Sequence, residues 1–103
     1  MIEVQILIPT FDNNGVLFGT THHAAFEAEL VALVTGFSLL PGVVVGGWLH
    51  AGTVYRDETR VYTVSVSGVI AAGDSLRSMA TFAKAHYGQL NVYLRYLGVS
   101  EIL

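Results

Sequence analysis

The sequence has no cysteine, so no disulfide can support a domain of this size. Charged residues are also scarce: they make up 13% of the 103 residues, while hydrophobic residues make up 52%. An average soluble domain has about 25% charged residues. So few charges cannot cover the surface of a small monomer. We therefore expect apolar surface to be buried between the subunits of a homo-dimer or homo-trimer.

Basic residues are rare too, since the chain has one lysine and four arginines and a formal net charge of −3. A nucleic-acid-binding face needs a cluster of cations, so we expect no nucleic acid partner. The first residues, MIEVQILI, contain no basic residue and no small-residue cleavage site. We accordingly expect no signal peptide and a cytoplasmic location.

One long stretch, residues 30–49, lacks charge altogether and has the length of a membrane span. Pro41-Gly42 interrupts it in the middle, and Gly46-Gly47 weakens it again. No basic residues flank it to set an orientation. The sequence therefore favours two separate elements here and no membrane partner.

Hydrophobic periodicity predicts four strands. In the first, Ile2, Val4, Ile6 and Ile8 alternate with more polar residues, as in a strand with one buried face. The other predicted strands cover residues 43–50, 61–67 and 91–96. Residues 51–53 are a predicted turn, and the charged residues 55–60 are a predicted exposed hairpin end or strand edge.

Two helices are predicted between the strands. The first is capped by Thr20 or Thr21, ends at Gly36 and buries a stripe of Phe26, Leu30, Leu33 and Val34. The second is capped by Asp74 or Ser75 and ends at Gly88. Its predicted inward residues are Leu76, Met79, Ala80, Ala83 and Tyr87.

The resulting order, strand–helix–strand–strand–helix–strand, predicts a single α+β domain over residues 1–103 with a ferredoxin-like fold. Both helices then cover one face of a four-stranded antiparallel sheet. The opposite, open face would carry Glu3, Gln5, Leu7, Val61, Thr63 and Ser65.

In length, element order and the charged hairpin between its second and third strands, the chain resembles ferredoxin-like small bacterial proteins. These include the trimeric signalling proteins of the PII and CutA type and the dimeric α+β-barrel proteins. It also resembles bacterial proteins carried on mobile gene cassettes. The resemblance covers nearly the whole chain through topology alone, so it implies a fold and self-association but no functional residue.

The aromatic and basic residues bordering the open face are the candidate ligand-binding residues. This rim suits a small anionic or aromatic ligand, or a partner subunit, and interface burial is the more ordinary of these roles. The rim consists of Trp48, His50, Tyr93 and Arg95. Tyr55 and Arg56 of the charged hairpin are further candidates, because such a cluster could recognise a charged ligand or contact a neighbouring subunit.

Four histidines offer further chemistry. His23 and Glu27 are four residues apart and could reach one metal from one helix face, but no HExxH motif is present and surface positions are the commoner explanation. His50 could act as a general base, and His86 suits the end of a helix, where a cation is favoured. We expect no metal and no cofactor.

Two functions remain open. The first is a homo-oligomeric module that binds a small molecule or a protein partner, with clefts at its subunit boundaries. The second is a small cofactor-independent enzyme of the dimeric α+β-barrel kind, an isomerase or monooxygenase, with Trp48, His50, Tyr62 and Tyr93 around its pocket. The position of a cavity, and whether an ionisable group points into it, distinguishes them.

Overall fold

The computed structural model describes residues 1–68 and 70–99 of the chain. Within them the chain forms five strands and two helices. In chain order these are β1 (Ile2–Pro9), α1 (Thr20–Val34), β2 (Ser38–Leu39), β3 (Val44–His50), β4 (Thr53–Val66), α2 (Gly73–Tyr87) and β5 (Tyr93–Val99).

The strands form one antiparallel sheet in which β1 lies between β4 and β5. The two remaining strands, β2 and β3, both pair with β4, so they occupy the same edge one after the other. This is the predicted ferredoxin-like α+β arrangement, which is confirmed. The sheet has five strands instead of four because the predicted second strand is preceded by the short separate strand β2.

A bulge separates β2 from β3 along the edge of β4. Leu39 is opposite Tyr62 and Val44 is opposite Thr59, so residues 40–43 face only residues 60–61. Gly42 adopts the left-handed conformation there, with φ of 74°. Because proline followed by such a glycine cannot continue a strand, the Pro41-Gly42 pair fixes the position of the break.

The β3–β4 hairpin is longer than the sequence predicts. Strand β4 starts at Thr53, not near Val61, so the charged residues 55–60 belong to a strand and not to its tip. The tip is the two-residue turn Ala51-Gly52, with φ of 50° and 79°. Positive φ at both positions is typical of a type I′ turn, whose twist matches that of the flanking strands.

The core lies between the helices and one face of β1 and β4, as predicted. Val4, Ile6 and Ile8 alternate with less buried neighbours in β1, and Tyr62, Val64 and Val66 do the same in β4. The helices contribute Phe26, Leu30, Val34, Leu76, Met79, Ala83 and Tyr87. Leu33 and Ala80 from the predicted stripes are only partly buried.

The predicted helix starts are wrong in detail, whereas one predicted end is right. Gly19 precedes α1 and Ala72 precedes α2, and neither position makes a side-chain capping hydrogen bond. Helix α1 ends before the predicted Gly36, because Thr35 already adopts the left-handed conformation at φ of 67°. Gly88 terminates α2 as predicted.

Across the described residues, no helix has both the length and the apolar character that a membrane span requires.

Candidate functional site on the open face of the sheet

The sheet face turned away from the helices has a polar half and an apolar half. In the polar half, the Ser65 hydroxyl donates to Glu3 Oε1 at 2.6 Å, and Gln5 Nε2 donates to the Thr63 hydroxyl at 3.4 Å. Both pairs are directly opposite across β1 and β4. These groups therefore satisfy one another across the strands without a ligand.

The apolar half centres on Leu7. Strand register places Val61 opposite it on β4 and Tyr93 opposite it on β5. Val61 is only 3% exposed although it is on the open face, whereas Tyr93 is 63% exposed. An exposed aromatic ring beside a buried apolar floor is a surface that another molecule can cover.

A cleft of about 320 Å³ opens over this apolar half. The Arg95 guanidinium lies 5.7 Å from the centre of the Tyr93 ring, within range of a cation–π interaction. At Gly46 a side chain would meet no atom within 4 Å, so the glycine leaves this part of the cleft open. The lining residues are Leu7, Val44, Gly46, Gly47, Asp57, Thr59, Tyr93 and Arg95.

A second cleft, of about 330 Å³, lies at the end of β1 next to the loop that precedes α1. It shares Leu7, Asp57 and Thr59 with the first cleft. Its other walls are Pro9, Phe11, Asp12, Asn13, Arg56, Glu58 and Gln89. Residues of the β3–β4 hairpin thus contribute to both clefts.

The structure brings together some of the predicted ligand-binding residues and separates others. Tyr93 and Arg95 line the first cleft, whereas Arg56 lines the second. Adjacent residues of a strand point to opposite faces, so Arg56 and Tyr55 lie on different faces of the hairpin. The rings of His50 and Tyr55 are 6.5 Å apart near the hairpin tip. The Trp48 side chain lies outside what the structure describes.

A polar network that the sequence did not predict connects α1 to β4. The Tyr62 hydroxyl donates to Glu27 Oε2 at 2.8 Å and accepts from Arg60 Nε at 2.9 Å. Arg60 also forms an ion pair with Glu27 at 3.3 Å. Burial, followed by the bond to the Glu27 carboxylate, raises the pKa of Tyr62. Tyr62 is fully buried in the core and lines neither cleft of the open face.

His23 and Glu27 bind different partners in the structure. The His23 ring is buried and its Nδ1 is 2.7 Å from the Tyr87 hydroxyl, while Glu27 binds Tyr62 and Arg60. Among the described residues, no three His, Asp or Glu side chains are grouped so that they could hold a metal ion. The spacing of His23, Phe26 and Leu30 on one helical stripe was the signal that His23 faces the core.

Solved structures with the same arrangement include proteins from three organisms. The divalent cation tolerance protein Cut A1 from Thermus thermophilus superimposes with a TM-score of 0.66 at 15% identity, over 99% of this chain and 86% of that one. CutA1 from Oryza sativa gives 0.69 at 13% identity, over 99% and 82% of the chains. CutA from Xylella fastidiosa gives 0.67 at 12% identity, over 99% and 86%. The chain has the CutA1 fold.

This likeness confirms the predicted resemblance to ferredoxin-like proteins of the PII and CutA type. No protein-family model and no curated protein matches the chain. At identities of 15% or less the CutA1 structures establish the fold alone. The site must therefore be interpreted from the side chains of this chain.

Proposed function

We propose that this protein is a homo-oligomeric binding module. Its β3–β4 hairpin contacts a second copy of the chain, and the cleft beside Tyr93 and Arg95 holds a small ligand near that contact. The observation that carries the proposal is the exposed apolar surface of the hairpin.

The hairpin exposes apolar side chains on both of its faces. Val45, Leu49 and Val54 lie on one face, and Val44 and Tyr55 lie on the other. Each of these five side chains is at least 41% exposed. Monomeric soluble proteins rarely leave large contiguous apolar patches uncovered, and the three apolar side chains on one face, Val45, Leu49 and Val54, therefore support burial in a contact between subunits.

The backbone of the hairpin supports the same proposal. Within the described residues β3 pairs with β4 alone, so its outer edge carries N–H and C=O groups without a neighbouring strand. Exposed apolar edge strands readily pair with another chain. The opposite edge of the sheet, β5, also exposes large side chains at Tyr93, Tyr96 and Leu97.

Charge favours a second copy as the occupant of this surface. Residues 55–60 carry two arginines and two acidic residues, so the charged part of the hairpin has no net charge. A surface with both signs can complement itself when two copies meet around a symmetry axis. A strongly acidic or basic partner would gain little there.

The ligand part of the proposal is based on Arg95 and Tyr93. A guanidinium binds a carboxylate through two parallel hydrogen bonds, and an exposed phenol ring offers a flat apolar wall. The cleft is large enough for a ligand of few atoms. We therefore propose a small aromatic carboxylate as the ligand class.

The oligomer is tested by molecular mass in solution. Val45→Glu with Leu49→Glu places two charges on one apolar face of the hairpin, and we expect light scattering to show a monomer that remains folded by circular dichroism. The matched control is Val16→Glu with Leu17→Glu, because these side chains are comparably exposed but lie in the loop before α1. An unchanged mass in the hairpin variant, or a wild-type monomer, would disprove the proposed interface.

The ligand is tested with benzoate as the probe. We expect benzoate to shift the NMR signals of Tyr93 and its neighbours, and Arg95→Gln to weaken binding about tenfold through loss of a charged hydrogen bond. Arg77→Gln is the control, since Arg77 is an exposed arginine paired with Asp74 on α2. Equal affinity of the wild type and the Arg95 variant would exclude Arg95 as the anchor.

A further inference from the structure

Four rings form a column where the start of α1 meets the end of α2. Phe18 stacks on His22 with ring centres 4.8 Å apart, His22 stacks on His86 at 3.8 Å, and His86 stacks on Phe82 at 5.1 Å. The planes of neighbouring rings differ by 13° to 21°. Two imidazoles are thus held face to face between two apolar rings.

The two histidines also exchange hydrogen bonds with each other's backbone. His22 Nε2 lies 2.7 Å from the carbonyl oxygen of His86, and His86 Nε2 lies 2.7 Å from the carbonyl oxygen of His22. A carbonyl only accepts, so each ring must carry its proton on Nε2. This fixes the tautomer of both rings and leaves each Nδ1 as the position that an additional proton would occupy.

A third imidazole, His23, adjoins the pair and is buried against Tyr87. The charged and titratable groups that face it are Arg60 from β4, Glu27 and His22 from α1, and His86 from α2. Burial, followed by the positive charge of Arg60, lowers the pKa of His23 below 6.5, and the nearby Glu27 carboxylate only partly opposes this.

The loop before α1 is attached to the same end of α2. The Phe18 ring meets the Tyr87 ring edge-on at 5.0 Å, and Asn13 Nδ2 donates to the carbonyl oxygen of Gly88 at 3.1 Å. Gln89 Nε2 donates to Asn13 Oδ1 at 3.4 Å. Asn13 and Gln89 also line the second cleft of the open face. Any separation of the two helix ends would therefore alter a wall of that cleft.

We propose that His22, His23 and His86 form a proton-operated latch that joins the loop of residues 10–19 and the start of α1 to the end of α2. The latch is closed while the rings are neutral. It opens under mildly acidic conditions and releases the loop that lines the second cleft. The inference is independent of which ligand the open face binds.

The direction of the switch follows from charge. Two imidazolium rings stacked at 3.8 Å repel each other, and a proton on His23 is opposed by the positive charge of Arg60. His23 binds a proton less readily in the folded protein than in the unfolded chain, so the latched state loses stability as the pH falls below about 6.5. The stabilising effect is fully present above that pH, where His23 is neutral in both states.

The test is amide hydrogen exchange of the full-length wild type at pH 7.5 and pH 5.5, corrected for the intrinsic rates. We expect residues 10–19 and 84–89 to exchange about tenfold faster at pH 5.5, while β1 and β4 keep their protection. Unchanged exchange of these two segments would overturn the proposal. An increase spread equally over the sheet would also overturn it, because it would indicate global destabilisation.

The variant for this test is His22→Gln with His86→Gln. A glutamine amide can still donate to the opposite carbonyl but does not titrate, so the acid-induced increase in exchange should fall by more than half. His50→Gln is the control, because His50 lies at the hairpin tip and its replacement should leave the increase intact. A double variant with the full wild-type increase would overturn the latch. If that variant does not fold, the regional contrast in the wild type still decides the question.

Discussion

The two ends of strand β4 differ in the burial of their side chains. From Val61 to Val66, four of the six side chains are buried: three beneath the helices, and Val61 on the open face. From Thr53 to Glu58 every side chain is exposed. One continuous strand therefore supplies both the folding core and a surface free to meet another molecule.

This contrast shows that strand pairing and burial are separable in a small domain. The inner end of β4 is stabilised by helix packing on its apolar face. The outer end is held mainly by its hairpin partner β3, with two further hydrogen bonds from Thr10 to the carbonyl oxygen of Glu58. An isolated two-stranded hairpin is only marginally stable in water. A second copy packed on the hairpin would add the stability that it lacks.

The largest expected effect separates the two regions by stability. Ile6→Ala removes a fully buried side chain from the core, and we expect it to lower the free energy of unfolding by about 2–4 kcal/mol. The measurement is urea denaturation followed by circular dichroism.

Its matched counterpart on the hairpin is Leu49→Ala, at a side chain that is 69% exposed. At protein concentrations low enough to separate the copies, this change should alter the free energy of unfolding by less than about 0.5 kcal/mol. Similar losses for the two variants would show that the hairpin is packed within its own chain as the core is.

A smaller effect is expected at the polar network beneath α1. Tyr62→Phe removes the hydroxyl that joins Glu27 to Arg60, and we expect a loss of about 1–2 kcal/mol in the free energy of unfolding. Tyr93→Phe, at an exposed ring, should be nearly neutral in the same denaturation experiment. Neutrality of both changes would mean that the network does not stabilise the inner end of β4.

An effect smaller than that of Tyr62→Phe is expected at the hairpin tip. Ala51 has φ of 50°, a left-handed conformation that alanine adopts at a cost, and Asn-Gly is the favoured pair for a type I′ turn. Ala51→Asn should therefore raise the free energy of unfolding by about 0.5–1 kcal/mol. Gly52→Ala should act in the opposite direction, because Gly52 has φ of 79°. Thermal unfolding of the two variants checks both signs.

The sequence predicted the inner region far better than the outer one. The alternation in Ile2–Pro9 and the helical stripe from Phe26 to Leu30 identified the buried face, because burial on one side leaves a strict period. The outer end of β4 lacks that period, since both of its faces are exposed. Its four charged residues were compatible with either a hairpin end or a strand edge, and the structure shows an extended strand.

The contacts between the helix ends could not be predicted from local patterns. His22 and His86 are 64 residues apart, and their reciprocal hydrogen bonds exist only because α1 and α2 pack side by side. The same holds for Glu27 and Tyr62, 35 residues apart. By contrast, Tyr93 and Arg95 share a face because they are two residues apart on one strand, and the sequence placed both on the same rim.

The bulge between β2 and β3 restricts how the length of this chain can change. Four residues, 40–43, face two residues of β4, so the bulge contains two extra residues. Because two is an even number, the odd-numbered residues of both β2 and β3 lie on the helix side of the sheet. The Ala51-Gly52 turn fixes the register of β3, so loss of one residue there would turn Ser38 and Leu39 of β2 to the opposite faces of the sheet, whereas loss of two would leave them in place. Insertions or deletions of two residues within 40–43 should therefore be tolerated, whereas those of a single residue should not.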